Sequence, residues 1–123
     1  MDAPFWLGRT KRDLHEAPES VRKKMGGAIR AVQDGEISDF ARPMHGDLRD
    51  VMEVRADDDA GTYRLMYTTK IGDRLFILDF FQKKSKSGSA TPTADLSRIR
   101  LRLKKAREIH AAEESAQRRR ADL

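Results

Sequence analysis

The spacing of apolar residues changes twice along this chain, from helical to strand-like and back to helical. Between residues 18 and 35 apolar positions recur as on one face of a helix, which predicts an amphipathic helix with Pro18 at its first position and Gly35 at its end. These positions are Val21, Met25, Ala28, Ile29 and Val32. Upstream, a strand or extended arm is predicted within residues 4–8, followed by a short helix from Thr10, as its cap, to Leu14.

The middle of the chain carries three segments with the pattern of β-strands, at residues 51–55, 62–69 and 74–81, after a loop over residues 39–50. Their connections are short, so we predict two antiparallel hairpins. The third segment is almost continuously apolar, which is typical of a strand buried on both faces.

A second amphipathic helix is predicted at the end of the chain, with Thr91 as its cap and Pro92 at its first position. Its apolar positions are Leu96, Ile99, Leu103 and Ala106. Residues from about 110 to 123 are polar and are expected to fray. The order of elements predicts one α+β domain over residues 1–123.

The amino-acid composition excludes several kinds of functional site and indicates where in the cell to expect the protein. The 123 residues include no cysteine, which excludes disulfides, zinc–thiolate sites and a thiol nucleophile. Neither a signal peptide nor an apolar run of membrane-spanning length is evident, so we expect a soluble, cytoplasmic protein with no membrane partner. The net charge of +5 favours an acidic partner without choosing its class.

Positive charge is concentrated after the third strand segment. Between residues 83 and 107 there are nine basic residues, and Asp95 is the only acid. The basic residues are Lys83, Lys84, Lys86, Arg98, Arg100, Arg102, Lys104, Lys105 and Arg107. This excess indicates a phosphate-binding face, and we favour RNA as its ligand. A solvated helix face and a helix that binds an acidic partner segment are the alternatives.

Arg64 lies in the middle of a predicted strand, where a solvated arginine is unusual. It would either pair with Asp79 on the neighbouring strand or bind a phosphate with its planar fork. The histidines His15, His45 and His110 lack metal-ligand spacing and are expected to be surface or structural residues. No metal or cofactor is therefore predicted.

Five stretches in order resemble the RelE/HigB superfamily of type II toxin–antitoxin toxins, in particular its phage-derived HigB-like branch. They are LGRTKRDLHEAPESVRKKMGGAIRAVQDGE, RPMHGDLRDVMEVR, TYRLMYT, LFILDFFQKKSK and TPTADLSRIRLRLKKA. The resemblance implies a helical hairpin packed on a small antiparallel sheet, with a basic C-terminal helix. It also implies a ribosome-dependent mRNA endonuclease and a cognate antitoxin, typically with a helix-turn-helix.

By position, Arg64 matches the family arginine that contacts the scissile phosphate, and Lys84, flanked by Lys83 and Lys86, matches a basic residue beyond the last central strand. This chain departs from well-studied relatives in having Glu53 and Arg55 where they have strand lysines, and in having Asp79 where HigB-like relatives often have histidine.

These residues suggest cleavage by the RNA 2′-hydroxyl without a metal. Arg64 would stabilise the phosphoryl charge, and crowding near it would lower the pKa of at least one lysine, which could then act as base or acid. Glu53 is the alternative base. Predicted RNA contacts are Arg55, Tyr67, Arg98, Arg102 and Lys105, although Tyr67 could instead pack in the core.

Two other functions fit the same residues. One is a non-catalytic toxin of the same fold that binds a protein target such as DNA gyrase, as ParE-like relatives do. The other is a basic nucleic-acid-binding adaptor without toxicity.

Overall fold

The computed structural model describes residues 3–83 and 91–123, and their fold is α+β. The elements are β1 (Phe5–Trp6), α1 (Thr10–His15), α2 (Glu19–Gln33), β2 (Ala41–Pro43), a 3₁₀ turn (Gly46–Leu48), β3 (Met52–Asp58), β4 (Gly61–Ile71), β5 (Arg74–Lys83) and α3 (Thr93–Ala121). They form a five-stranded sheet in the order β1-β5-β4-β3-β2. No helix among these residues is long and apolar enough to cross a membrane.

The sheet is mixed, which corrects the prediction of an antiparallel sheet. The β3–β4 and β4–β5 hairpins are antiparallel as predicted, but β1 runs parallel to β5. At the other edge β2, within the predicted loop, pairs antiparallel with β3. Both edge strands are too short, at two and three residues, to show a period of two in the sequence.

The two faces of the sheet carry different helices. On one face α1 packs against β5 and α2 packs against β3, so the predicted helical hairpin agrees with the structure in lying on the sheet. All five predicted apolar positions of α2 are buried there. On the other face α3 packs against β5 and β4, and its predicted apolar positions face the sheet.

The predicted helix caps lie one residue away from those of the structure. Pro18 and Pro92 occupy the cap positions of α2 and α3 rather than the first helical positions. The hydroxyl of Thr10 does not cap α1, because it donates to the Leu7 carbonyl at 2.8 Å. Shifts of one residue are ordinary at helix ends.

The middle of α3 is attached to the turn between β4 and β5. His110 packs against Gly72, where φ is +56° and a Cβ would collide with the imidazole. Arg74 of β5 also forms an ion pair with Glu113. The helix continues to Ala121, and the fraying expected from about residue 110 stays a prediction.

Candidate active site

Arg64 is the centre of a polar cluster on the α3 face of the sheet. It lies in the middle of β4, between Arg55 of β3 and Phe81 of β5, and its side chain is fully buried. Its Nη1 donates to Glu53 Oε2 at 3.1 Å and to Thr91 Oγ1 at 2.9 Å. The guanidinium therefore joins β3 to the residue that precedes α3.

Lys83, the last residue of β5, lies within the electrostatic field of this cluster. Only 7% of the residue is exposed. Burial lowers the pKa of its ammonium group, and the positive charges of Arg64 and Arg55 lower it further, while Glu53 opposes them. This direction agrees with the prediction that crowding near Arg64 would lower a lysine pKa, although burial is the larger cause.

A cleft of about 500 Å³ adjoins the cluster, and Glu53, Arg55 and Thr91 form part of its wall. Arg64 and Lys83 are not among the residues that line it, so Arg64 reaches the cleft through its two hydrogen-bonded partners. Three further basic side chains, Arg42, His45 and Arg100, complete the polar wall. The volume is in the range of small-molecule sites, and the charge suits a phosphate-bearing ligand.

Four polar residues of the cleft were not predicted as site residues: Arg100, Thr91, Arg42 and His45. Arg42 and His45 come from a segment that reads as a loop, and only the pairing of β2 with β3 places Arg42 opposite Glu53. No motif in the sequence could have indicated this pairing. Thr91 was predicted as a helix cap, but its hydroxyl accepts a hydrogen bond from Arg64 instead.

Arg100 is held at the cleft by an exposed ion pair with Asp47 of the 3₁₀ turn. Its Nε donates to Asp47 Oδ2 at 2.6 Å. This hydrogen bond lowers the pKa of the Asp47 carboxyl. In the part of the chain that the structure describes, no group of three or more histidine, aspartate or glutamate residues could hold a metal ion.

Comparison with known proteins identifies the family. The family model described as "Phage derived protein Gp49-like (DUF891)" matches residues 12–104, which include Glu53, Arg64 and Lys83. The chain belongs to the Gp49-like family.

None of the curated proteins matches this Gp49-like chain significantly. Among solved structures, it is similar to a chain of the toxin–antitoxin complex RelBE2 from Mycobacterium tuberculosis. The two are 22% identical, with a TM-score of 0.40, and the alignment covers 68% of this chain and 92% of the other. A similarity this distant carries no argument about the site.

The Gp49-like chain does not form the Arg64–Asp79 pair that the sequence left open. The regular register that pairs Arg64 with Phe81 pairs Asp79 with Met66, and a β-bulge at Leu78 follows directly. Asp79 lies on the same face of the sheet as α3. There Asp79 accepts hydrogen bonds from Arg98 Nε at 2.8 Å and from Arg102 Nη1 at 2.9 Å.

Two predicted RNA contacts, Arg98 and Arg102, are thus engaged in holding α3 on the sheet. Arg98 also pairs with Asp95 within α3, and Arg102 also donates to the Leu78 carbonyl at 3.0 Å. These contacts give both arginines a structural role, whatever else they bind.

The remaining predicted site residues are separated from the cluster. Tyr67 is 2% exposed in the core on the opposite face of the sheet, so its prediction as an RNA contact is wrong and core packing is correct. Lys105 is exposed on α3 and lines another groove. Lys84 and Lys86 lie outside the described residues. The structure therefore brings together Arg64, Lys83, Glu53 and Arg55.

Proposed function

We propose that this Gp49-like chain is the toxin of a type II toxin–antitoxin pair and that it cleaves mRNA on the ribosome. The observation that carries the proposal is the convergence of Arg64, Glu53 and a buried Lys83 of lowered pKa beside a basic cleft. A perturbed titratable group in such a place is typical of a catalytic site. The ordered sequence resemblance to RelE/HigB toxins supports the same function.

The proposed chemistry uses the nucleophile that RNA supplies. Glu53 accepts the proton of the 2′-hydroxyl, and the 2′-oxygen forms a bond to the adjacent phosphorus. The bond from phosphorus to the 5′-oxygen breaks, and Lys83 donates a proton to that oxygen. The products are a 2′,3′-cyclic phosphate and a 5′-hydroxyl end.

Lys83 fits the role of acid because burial and the neighbouring arginines make its proton easier to release. Glu53 fits the role of base because it lines the cleft while Arg64 orients its carboxylate.

Arg64 would stabilise the negative charge that develops on the phosphoryl oxygens. Its guanidinium is fully buried and donates to Thr91, so a phosphate must take the place of the Thr91 hydroxyl to reach it. A requirement for such an exchange is consistent with action on the ribosome, where the mRNA is already held in position.

A test of this function compares two lysines of the same sheet. Lys83→Met should relieve growth arrest on expression and abolish cleavage, whereas Lys70→Met, at an exposed position near the far end of β4, should leave both unchanged. RNA ends mapped during expression should begin with a 5′-hydroxyl and follow the codon register. A folded Lys83→Met chain that still cleaves would remove Lys83 from the mechanism. Lys84 and Lys86 stay sequence predictions that the same assay can examine.

The second candidate function is a non-catalytic toxin that binds a protein target such as DNA gyrase. The full burial of Arg64 and its ion pair with Glu53 favour it, because both are also what a structural arginine shows. Growth arrest without new RNA ends would select this function. An absence of growth arrest would select the third, a basic nucleic-acid-binding adaptor.

Under the first two functions the chain requires a neutralising antitoxin. Because such pairs are encoded together, the reading frame next to this one is expected to encode it, as a small helix-turn-helix protein.

A further inference from the structure

A second groove lies on the far side of α3 from the cleft, between β1 and the outer surface of the helix. Its volume is about 580 Å³. Its floor is apolar and is formed by Phe5, Trp6, Leu7, Leu101 and Ile109. Nothing in the proposed cleavage uses this groove, since Arg64, Glu53 and Lys83 do not line it.

Leu101 is the clearest sign that the groove is a binding surface. It is 67% exposed on α3, whereas Ile99 and Leu103 on the same helix are buried against the sheet. The sheet also ends here, because β1 is its edge strand and, among the described strands, pairs with β5 alone. Apolar side chains next to an open sheet edge form a surface that another polypeptide can cover.

Cationic side chains lie in the groove wall and in a hollow next to it. Lys104 and Lys105 of α3 line one side, and Arg9 and Lys11 lie in an adjoining hollow that shares Gly8 with the groove. None of these four forms an ion pair with any residue that the structure describes. Glu108 is the one acidic residue on the described groove wall. A ligand with apolar groups at its centre and carboxylates at its edges would complement this surface.

Gly8 packs closely against Arg102 in the wall of the groove. Its φ is +58°, and a Cβ at this position would lie 2.5 Å from Arg102 Nη2. Arg102 lines the groove too, but its guanidinium already donates to Asp79 and to the Leu78 carbonyl. The positive charge that is not paired with a described residue is therefore that of Lys104 and Lys105 and, in the adjoining hollow, Arg9 and Lys11.

We propose that this groove binds an acidic amphipathic segment of the neutralising partner protein. The identity of the partner rests on the proposed function, whereas the chemistry of the segment follows from the groove. Its apolar side chains would contact Leu101, Leu7 and Ile109, and its carboxylates would pair with Lys104, Lys105, Arg9 and Lys11. Neutralisation would then involve a surface separate from the cleft.

Two other occupants fit less well. A second copy in a symmetric dimer would place the same unpaired cations against one another. RNA would need aromatic faces on which its bases could stack. The Phe5 ring is already packed at 5.6 Å from Phe76, and Trp6 packs against the core on the α2 face.

Trp6 provides a readout at the edge of the groove, because it is the only tryptophan of the chain and is half-buried between the groove and the core on the α2 face. The probe is the purified product of the adjacent reading frame in a form that lacks tryptophan. Its addition should shift Trp6 emission to shorter wavelength as the groove loses water. A Leu101→Asp chain whose Trp6 spectrum shifts at the same partner concentration as that of the unaltered chain would contradict the proposal.

A matched pair of variants tests the apolar floor. Leu101→Asp should weaken binding of the partner by at least about tenfold. Ile37→Asp should bind as the unaltered chain does, since Ile37 is equally exposed, at 68%, and lies outside the groove. Both chains should fold and retain RNA cleavage. Equal affinity of the two variants would overturn the groove as the docking site.

A second pair tests the charge. Lys105→Glu should weaken binding and reduce its dependence on salt, whereas Lys70→Glu should do neither. If the unaltered chain self-associates at high concentration and the Leu101→Asp chain does not, the groove binds a second copy of the chain. A Trp6 shift with oligouridylate that is lost in Lys105→Glu would assign it to RNA. Either result would overturn the proposal.

These outcomes separate the two proposals. A chain that arrests growth and is neutralised equally well with Leu101→Asp would refute the groove and leave the cleavage function intact. A chain that causes no growth arrest, yet binds the adjacent product through Leu101, would refute the toxin function and leave the groove. No binding of the adjacent product at any concentration tested would refute the assignment of the groove to this partner.

Discussion

The two faces of the central sheet differ in what they bury. The face under α1 and α2 encloses an apolar cluster that includes Tyr63 and Tyr67. The face under α3 also has an apolar cluster, but it buries Arg64, Asp79 and Lys83 beside it. Buried charges contribute little stability by comparison with apolar side chains of the same size. The difference indicates that the first face contributes more to the stability of the fold, while the second holds the charged residues of the proposed active site.

The contrast extends to how the helices are attached. The α2 helix is held by its apolar stripe, with Val21 and Met25 almost completely buried. The α3 helix is held by fewer buried apolar residues and by the pairs that Arg98 and Arg102 make with Asp79. The start of α3 therefore depends on directional contacts, and Thr91 is held over Arg64 by them.

The largest expected effect is on activity and comes from the α3 face. Arg64→Met should reduce RNA cleavage by about 10²–10³-fold, because a charge-stabilising donor is lost in the transition state. Arg74→Met is the matched control, since Arg74 is also a strand arginine with an ion-pair partner, Glu113, at the other end of the sheet. Cleavage would be measured per folded molecule. Retention of cleavage within about tenfold of the unaltered chain would remove Arg64 from catalysis.

On the face under α1 and α2, a core substitution should change stability and leave activity unchanged. Met25→Ala removes a side chain with no exposed surface, so the free energy of unfolding should fall by about 2–5 kcal/mol. Cleavage per folded molecule should not change. Lys23→Ala on the exposed side of α2 should alter neither quantity measurably. Urea unfolding of the three chains checks the prediction, and a loss of specific activity in Met25→Ala would show that the two faces are coupled.

A smaller effect is expected where α3 begins. Thr91→Val keeps the shape of the side chain but removes the hydroxyl that accepts from Arg64 Nη1, so the free energy of unfolding should fall by about 1 kcal/mol. Cleavage should persist, because the proposed substrate phosphate takes the place of this hydroxyl. Thr93→Val, two residues further on at an exposed position, is the control. Loss of cleavage in Thr91→Val alone would mean that Thr91 itself contacts RNA.

The smallest effect is a dependence of stability on pH. Because burial and Arg64 lower the pKa of Lys83 in the folded state, its charged form is less favourable there than in the unfolded chain. Lys83→Met should therefore gain stability relative to the unaltered chain at neutral pH. The gain should shrink as pH rises through the lowered pKa towards the value of a free lysine, about 10.4.

Unfolding of the Lys83→Met and unaltered chains at several pH values between neutral and alkaline would measure this difference. Lys70→Met, at an exposed position of the same sheet, is the control for removal of a lysine side chain. A difference between the Lys83→Met and unaltered chains that stays constant with pH would mean that Lys83 is not perturbed in the folded state.

The sequence alone determined the elements with enough residues to show a period. The apolar stripe of α2, the two central hairpins and the buried side of α3 were all predicted, because burial of one face imposes a repeat that a single chain displays. The mid-strand position of Arg64 also marked it as unusual before its partners were known. The family model covers most of these elements, since its matched residues run from 12 to 104.

Only the tertiary structure decided which residues meet. The parallel pairing of β1, the addition of β2 and the bulge beside Asp79 each involve a few residues with no period of their own, and each is fixed by contacts far away in the chain. For that reason the sequence could name Arg64 but could not choose Glu53 and Thr91 over Asp79 as its partners, nor assign Tyr67 to the core. Local pattern reports which side of an element is buried, whereas the partner across the sheet depends on register, and register is a property of the folded chain.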